Sequence, residues 1–568
     1  MIKGVAASPG VAIGPAFVLR TEELKVEKRA IAAEDVEREL SRLPAAVSES
    51  ARQIETVKAG AGTKEAAEIL SAQLLMLEDP GLTGLIESTV RDQRAGLEWA
   101  VQEAAEQYAR TLEQVDDAYI KERAADVRDI GRRLVKNLLG AAQAGPALDR
   151  PSIVIAQDLT PSETAALRDN MVLGMAIDKG STTCHTAILA RAKGIPAVVG
   201  AAPVSTVART GVTVAIDGDA GTVHLDPSGE EMEVYRRAIE AQKQEKQRLA
   251  GTKSLPARTQ DGVSIEVSAN IGFPGDVPVA IENGAEGVGL FRTEFLFMKR
   301  DSLPTEEEQF KAYAEVLSGM KGRPVVIRTL DIGGDKDIPY LGLKQELNPF
   351  LGWRALRMCL DRPDLFKTQL RAIYRASVHG KAKIMFPMVA TVEEVRKAKA
   401  VVAEVLGELD REGIKYDPKV EVGIMVEIPS AAVMARSLGR EVDFFSIGTN
   451  DLTQYTMAVD RTNEKIAHLY DALHPSVIRL IGMVADGAKA NGIWAGMCGE
   501  LAGDPLATGL LVGLGLTELS ASMPLVPKVK ENVRGLTMKK AREIADRVLQ
   551  MSETAEVREY LGSLAKGS

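Results

Sequence analysis

Aromatic residues and cysteines are scarce in this chain of 568 residues. Aromatic side chains make up 4% of it, so the hydrophobic cores must be built mainly from aliphatic residues. The three cysteines (Cys184, Cys359 and Cys498) are too few and too widely separated for a disulfide framework or a zinc site. No apolar run is long enough to span a membrane, and the first residues lack the apolar stretch of a signal peptide. We therefore expect a cytoplasmic protein with free thiols and no membrane insertion.

An excess of positive charge is also absent. The formal net charge of −9 gives no reason to expect a nucleic acid partner, and an electropositive patch on a protein partner would suit it better. The charged fraction of 26% and the hydrophobic fraction of 45% are those of an ordinary globular protein. The length predicts about three or four domains.

Strand-like and helical stretches alternate in the first 225 residues. Short Val, Ile and Ala runs bounded by Gly and Pro predict strands at 4–19, 153–155, 172–177, 197–199 and 212–216. Between residues 30 and 140 apolar residues recur at intervals of three or four, which predicts helices, including one long helix over 84–115. We therefore predict an α/β domain formed by residues 1–20 and 146–225, with a helical bundle inserted at 21–145.

The rest of the chain has a different pattern. Residues 229–250 are polar nearly all round, as expected of a helix that bridges two domains, and we predict a linker helix at 226–255. Beyond it, eight strand-like runs alternate with helix-length segments, which favours a (β/α)₈ barrel at 256–568 over an open sheet. The runs lie at 263–270, 287–296, 324–331, 383–390, 421–428, 443–450, 492–499 and 517–522. The expected fold class is thus multidomain α/β.

Chemically reactive residues follow the ends of these runs, where the active sites of such barrels lie. They are Arg292, Glu294, Arg328, Asp331, Glu427, Asn450, Asp451, Cys498 and Glu500, with Arg354 and Arg461 in the loops after the third and sixth runs. Any one of them could be structural. Several arginines in one cavity, however, favour a multiply charged anion, because guanidinium groups match phosphate and carboxylate.

Carboxylates and a thiol at the same strand ends restrict the kind of substrate that the site could accept. Carboxylates beside that anion would repel it unless a hard cation lay between them, so Glu427 and Asp451 are candidate Mg²⁺ ligands. The thiol of Cys498 is mostly protonated at neutral pH and could give a proton to a carbanion. These requirements indicate a small substrate that carries phosphate and carboxylate and passes through an enolate. Phosphoenolpyruvate meets all of them.

His185 is the candidate nucleophile in the other half of the chain. It follows Gly180-Ser181-Thr182-Thr183-Cys184 in a stretch that predicts a turn and then a helix. The N-terminus of a helix favours an anion, so a phosphorylated imidazole would be stabilised there. A capping or packed histidine is the alternative that spacing leaves open. If His185 is the nucleophile, its domain must move to meet the barrel.

Seven stretches occur in the order typical of one known family. They are residues 4–10 (GVAASPG), 158–164 (DLTPSET), 289–298 (GLFRTEFLFM), 328–336 (RTLDIGGDK), 348–354 (NPFLGWR), 448–455 (GTNDLTQY) and 496–504 (GMCGELAGD). Over essentially its whole length the chain resembles Enzyme I of the bacterial sugar phosphotransferase system, a phosphoenolpyruvate–protein phosphotransferase.

The resemblance implies a function for each half of the chain. His185 would carry the phosphoryl group on a swivelling phosphohistidine domain. The barrel would bind phosphoenolpyruvate through Arg292, Arg328, Asn450, Asp451 and Arg461, with Arg354 nearby. Glu427 and Asp451 would hold Mg²⁺, and Cys498 would protonate the enolate to give pyruvate.

The resemblance also implies partners. The phosphoryl acceptor would be the carrier protein HPr, docking on the bundle, whose segment 119–140 resembles that of the family. Two copies would form a homodimer through the barrel. One departure is that the family usually reads Gly-Gly-Arg-Thr-Ser-His before the helix, whereas Thr182 and Cys184 replace the Arg and the Ser here. The change removes a cation that could neutralise the phosphohistidine.

Three other kinds of protein share parts of this pattern. Pyruvate phosphate dikinase and phosphoenolpyruvate synthase share a similar histidine domain and barrel, but they need a nucleotide-grasp domain, and no Gly-rich phosphate loop precedes His185. A nitrogen-regulatory paralogue, which typically carries a sensory domain before the Gly4 stretch, stays open. A regulatory protein that binds phosphoenolpyruvate without catalysis would be expected to lack a barrel residue, and none is lost.

Overall fold

The computed structural model describes residues 1–19, 26–59, 64–77, 79–114, 118–140, 148–159, 163, 169–181, 184–298, 300, 302–333, 340, 346–461, 463 and 465–566. The chain divides into two compact units, Met1–Glu245 and Lys246–Ser568. The finer division of the first unit into an α/β domain and an inserted bundle stays a prediction. In the described part of the chain, no helix is both long and apolar enough to cross a membrane.

The first unit contains a mixed sheet of eight strands. They are β1 (Ile2–Lys3), β2 (Val5–Ser8), β3 (Val11–Leu19), β4 (Ser152–Ala156), β5 (Val172–Ile177), β6 (Ala197–Val199), β7 (Thr213–Asp217) and β8 (Thr222–Leu225). Their order is β1-β8-β7-β3-β4-β5-β6-β2, and the central β3 to β6 are parallel. Alternate residues of β4 face opposite sides, with Val154 in one core and Ile153 in the other. The sheet is therefore covered on both faces. The short strand β8 was not among the strands predicted from the sequence.

Helices of the first unit follow the predicted periodicity with one correction. They are α1 (Val36–Leu40), α2 (Leu43–Ala59), α3 (Lys64–Leu77), α4 (Pro80–Gln93), α5 (Leu97–Gln114), α6 (Ala118–Leu138), α7 (His185–Lys193) and α8 (Val204–Val207). The single long helix expected over 84–115 is wrong. Arg94 has a left-handed backbone (φ 45°) that ends α4, and α5 begins three residues later. The predicted break at Gly60-Ala61-Gly62 lies outside the described residues.

A polar helix crosses the boundary between the two units. This helix, α9 (Gly229–Thr252), has Thr252 as its one buried residue. The prediction of a helix that is polar nearly all round over 229–250 is thus confirmed.

The second unit is a closed barrel of eight parallel strands. They are β9 (Glu266–Ile271), β10 (Val288–Phe291), β11 (Pro324–Arg328), β12 (Lys381–Phe386), β13 (Glu421–Val426), β14 (Phe444–Ile447), β15 (Trp494–Met497) and β16 (Glu518–Ser522). Each pairs with the next, and β16 pairs with β9. All eight predicted strands are present, and most end before the predicted limit because the chain turns away at the reactive residues.

Helices surround the barrel. They are α10 (Val277–Glu282), α11 (Glu306–Gly319), α12 (Ala355–Asp361), α13 (Pro363–Ala376), α14 (Val392–Glu412), α15 (Pro429–Val433), α16 (Ala435–Leu438), α17 (Thr449–Met457), α18 (Pro475–Asn491), α19 (Thr508–Leu514), α20 (Val526–Gly535), α21 (Met538–Leu549) and α22 (Thr554–Lys566). The main core lies between them and the strands. A smaller apolar cluster, which includes Met425, Phe444 and Cys498, fills the barrel interior.

Candidate functional site

Arg328 is the buried cation at the carboxyl end of β11. It is 7% exposed, and its guanidinium lies 2.6 Å from Glu294 and 2.9 Å from Asp331. Burial alone would lower the pKa of Arg328, but these carboxylates raise it, so the group keeps its charge. Its Nε has no hydrogen-bond partner among the described residues. A buried donor in that state is suited to an anionic ligand.

Arg354 lies on the other side of Asp331. Its Nη2 is 2.8 Å from Asp331 and 3.5 Å from Asp451, and its Nη1 donates to the Tyr455 hydroxyl at 3.4 Å. Asp331 therefore bridges two buried arginines. The Nε of Arg354 also lacks a partner within the described part of the chain. The two guanidinium groups form one positively charged wall of the barrel mouth.

Glu427 follows β13 and is 2% exposed. Burial, and then the nearby Asp451 and Asp331, raise the pKa of Glu427 to about 8. Its Oε1 accepts a 2.6 Å hydrogen bond from the amide of Met388, a residue held at φ 57°. Such a left-handed backbone is uncommon for a residue with a side chain, and here it aims an N–H at the carboxyl group. The orientation of Glu427 is thus fixed from the loop that follows the neighbouring strand β12.

Asp451 lies in the first turn of α17. It is 7% exposed and lies 3.7 Å from Arg461 as well as 3.5 Å from Arg354. Next to it, Asn450 donates to Glu500 at 3.1 Å and accepts from the Glu500 amide at 3.0 Å. These bonds join the ends of β14 and β15. The side chain of Arg461 is 34% exposed, so it is more open to solvent than the buried Arg328 and Arg354.

Arg292 is exposed just after β10, and its amide donates to Ile271 on β9 at 3.0 Å. The backbone there places it at the same end of the barrel as Arg328. Its side chain forms no ion pair with any of the described residues, in contrast to Arg328 and Arg354. It is the arginine of the site most free to meet a substrate.

Cys498 follows β15 and faces the barrel interior. It is 3% exposed, and its thiol lies 3.8 Å from the carbonyl oxygen of Ile447. Burial raises the pKa of the Cys498 thiol to about 12. The group is therefore a thiol, not a thiolate, over the physiological range. A thiol can act as an acid, as the sequence suggested.

His185 is the first residue of α7, which confirms the predicted start of that helix. The residue before it, Cys184, has an extended backbone and makes no capping hydrogen bond with its side chain. The imidazole of His185 lies outside the described part of the structure, as do Thr182 and Thr183. His185 belongs to the first unit and the barrel residues to the second.

Three members of the barrel site had no role assigned from the sequence: Glu294, Asp331 and Tyr455. Asp331 was noted at a strand end but given no role, although it joins Arg328 to Arg354. The Tyr455 hydroxyl contacts Arg354 and donates to the carbonyl oxygen of Phe350 at 2.5 Å. Its position one helical turn after Asp451 was the available signal, since residues four apart share a helix face. Side-chain pairing of this kind cannot be read from spacing alone.

Comparison with known proteins shows which class of enzyme has these domains. The model of the PEP-utilising enzyme, PEP-binding domain, matches residues 246–538. The N-terminal and mobile domains of PEP-utilising enzymes match residues 3–123 and 148–221. The fold and the matched domains are therefore those of a phosphoenolpyruvate-utilising enzyme.

Curated relatives match almost the full chain. The phosphoenolpyruvate–protein phosphotransferase of Priestia megaterium is 48% identical over 99% of this chain and 98% of its own. Those of Haemophilus influenzae and Bacillus subtilis are 47% and 45% identical, each over 98% of both chains. This chain belongs to the phosphoenolpyruvate–protein phosphotransferase family. The resemblance drawn from the seven sequence stretches and the expected fold class are confirmed, and the chain is an enzyme of phosphoenolpyruvate-dependent phosphoryl transfer.

Proposed function

We propose that the chain transfers the phosphoryl group of phosphoenolpyruvate to His185, releases pyruvate, and passes the phosphoryl group to a histidine of HPr. This would be the first step of sugar uptake by phosphorylation. One observation carries the proposal: at the barrel mouth two buried guanidinium groups (Arg328 and Arg354) face four buried carboxyl groups. These are Glu294, Asp331, Glu427 and Asp451.

The arginines would hold the anionic substrate. Arg328 and Arg354 are fixed by carboxylates and supply a permanent positive field. Arg292 and Arg461 are more exposed and would close on the phosphate or carboxylate, with the Asn450 amide as a further donor. Binding in this manner would orient the phosphoryl group toward His185.

The excess of carboxyl groups fits a divalent cation. Glu427 and Asp451 would hold Mg²⁺, which typically uses one or two carboxylates together with substrate oxygens and water. Among the described residues, no group of three or more His, Cys, Asp or Glu side chains is arranged to hold a metal ion. When bound, Mg²⁺ would neutralise charge on the phosphate and on the enolate oxygen.

Proton transfer would complete the reaction. As the bond between phosphorus and the enol oxygen breaks, the oxygen keeps the electron pair and the imidazole of His185 gains the phosphoryl group. The methylene carbon of the enolate would then take the proton of the Cys498 thiol and give pyruvate. The raised pKa of Cys498 supports this role, because the proton is present at neutral pH.

The remaining expectations concern place and partners. The start of α7 would stabilise the phosphohistidine through backbone N–H groups. The bundle would receive HPr, the barrel would join two copies in a homodimer, and the chain would act in the cytoplasm. The family membership of the full chain supports each of these.

The proposal is tested by measuring pyruvate and phosphorylated HPr with phosphoenolpyruvate, in Mg²⁺ or in EDTA. Both products should form in Mg²⁺ and neither in EDTA. Arg292→Met should raise KM for phosphoenolpyruvate at least about tenfold, because a guanidinium fork is lost. Arg375→Met is the control, since Arg375 forms ion pairs with Glu306 and Glu307 on α11, outside the barrel mouth. Pyruvate release without phosphorylation of HPr would contradict the proposal.

A further inference from the structure

The C-terminal helix α22 is anchored in the core of the second unit. Its residues Val557 and Leu561 are buried and belong to the main core of that unit. The ring of Tyr560, on the same helix, lies 4.4 Å from the guanidinium of Arg547 on α21. A helix held at several points moves little, so a side chain on its surface can serve as a fixed support for a nearby loop.

Arg558 is such a side chain. It follows the buried Val557 and forms two hydrogen bonds with Asp471, from Nε to Oδ2 at 2.8 Å and from Nη2 to Oδ1 at 2.9 Å. A bidentate pair of this kind fixes direction as well as distance. The side chain of Arg558 is 52% exposed and that of Asp471 is 22% exposed, so the pair contributes little to folding. Its geometry therefore suits a positioning role better than a stabilising one.

Apolar packing between α22 and the loop that carries Asp471 is incomplete. A cavity of about 370 Å³ is lined by Met457, Leu469 and Asp471 and also by Thr554, the first residue of α22. Side chains do not fill this space. The ion pair of Arg558 with Asp471 is therefore a direct connection between the helix and the loop beside it.

Tyr470, the neighbour of Asp471, reaches the substrate site. Its hydroxyl donates to the carbonyl oxygen of Asn450 at 3.1 Å. Burial raises the pKa of Tyr470, and the nearby guanidinium of Arg461 offsets part of that rise. The hydroxyl group therefore lies beside two residues that are proposed to bind phosphoenolpyruvate.

The segment that carries Arg461 is attached on both sides. Before it, the side chain of Gln454 on α17 accepts a hydrogen bond from the Arg461 amide at 3.2 Å. After it, the chain is held at Tyr470 and Asp471 by the contacts just described. Loss of the second attachment would leave Arg461 held from α17 alone.

We propose that Arg558 and Tyr470 are positioning residues for the substrate site. The inference rests on the proposed function, in which Asn450 and Arg461 contact phosphoenolpyruvate. Arg558 fixes Asp471, and the adjacent Tyr470 is fixed with it. The Tyr470 hydroxyl then holds Asn450 and Arg461 in the geometry that binds the substrate. The C-terminal helix thus supports substrate binding from the outside of the barrel.

The test measures KM and kcat for phosphoenolpyruvate from pyruvate release by the full-length protein, with Mg²⁺ and excess HPr. We expect Arg558→Met to raise KM about tenfold and to leave kcat within about twofold of the wild type, because apparent affinity falls with the fraction of molecules in the binding geometry. Tyr470→Phe, which loses only the hydroxyl, should also raise KM. Arg547→Met is the matched control, since it removes another arginine that contacts α22 and should leave KM unchanged.

A double substitution tests whether Arg558 acts through Arg461. Arg461→Met should raise KM by itself, because a guanidinium fork is lost. In that background Arg558→Met should raise KM by a further factor of about two or less, since the group that it positions is already absent.

Two results would overturn the inference. One is a normal KM in Arg558→Met while Arg461→Met raises KM. The other is an equal rise in Arg558→Met and Arg547→Met, which would make the role of α22 purely structural. If Arg461→Met itself leaves KM unchanged, the proposed function is wrong about Arg461 as a substrate ligand, and the positioning role fails with it.

Discussion

Replacing Glu427 with Gln tests the charge balance of the barrel mouth. The pKa of this carboxyl is raised to about 8 from a reference of 4.5, first by burial and then by Asp451 and Asp331. Between pH 4.5 and about 8, the folded protein without Mg²⁺ therefore keeps a proton that the unfolded chain has already released. The contribution of Glu427 to stability is present at low pH and is lost as the pH rises through this range.

The magnitude follows from the shift. At 1.36 kcal/mol for each pKa unit, ionising this carboxyl in the folded state costs up to about 5 kcal/mol. A glutamine is neutral at every pH, and its amide oxygen can still accept the bond from Met388. We therefore expect Glu427→Gln to gain stability over the wild type as the pH rises, by about 2 to 5 kcal/mol between pH 5 and pH 8.5.

The assay is denaturation of both proteins by urea and by heat, without metal, at those two pH values. Mg²⁺ should then stabilise the wild type and not the variant, because a ligand stabilises only the form that binds it. A difference in stability that is independent of pH, or a variant that Mg²⁺ stabilises equally, would refute the reasoning.

Three further predictions concern the same site. Arg354→Met should destabilise the barrel by about 3 to 5 kcal/mol, because Asp331 and Asp451 each lose a buried cationic partner. Urea denaturation measures the loss of stability, and an unchanged denaturation midpoint would contradict the prediction. Gly448→Ala would place a Cβ 3.0 Å from Oε2 of Glu427 and crowd this proposed Mg²⁺ ligand. The Mg²⁺ concentration for half-maximal activity should therefore rise about tenfold. An unchanged Mg²⁺ titration would argue against Glu427 as a ligand. Cys498→Ala should slow pyruvate formation by a factor of about 10² to 10⁴ in a rapid-quench assay, because the proton donor is lost. The activity of the wild type should not fall below pH 9 through ionisation of this thiol, since the pKa of Cys498 is raised to about 12.

Much of the barrel could be predicted from its sequence. Its strands are short apolar runs, and parallel strands in a closed barrel must bring their carboxyl ends together. Arg328, Glu427 and Cys498 each follow such a run, so their shared location came from topology and not from any local signal. The start of α7 at His185 was also readable, because a Gly, Ser and Thr cluster precedes a helical pattern.

The rest depends on contacts that distant segments make. The bridge from Arg328 through Asp331 to Arg354 joins the end of β11 to a residue 23 positions beyond Asp331, and side-chain rotamers set it. The break between α4 and α5 comes from the left-handed backbone of Arg94, a conformation that its residue type disfavours.

Phosphorylation of His185 is tested most directly by incubation with phosphoenolpyruvate that carries labelled phosphate, in the presence of Mg²⁺. We expect acid-labile label on the wild type and none on His185→Ala, with both proteins folded to the same extent. Equal label on the two proteins would contradict His185 as the phosphoryl carrier.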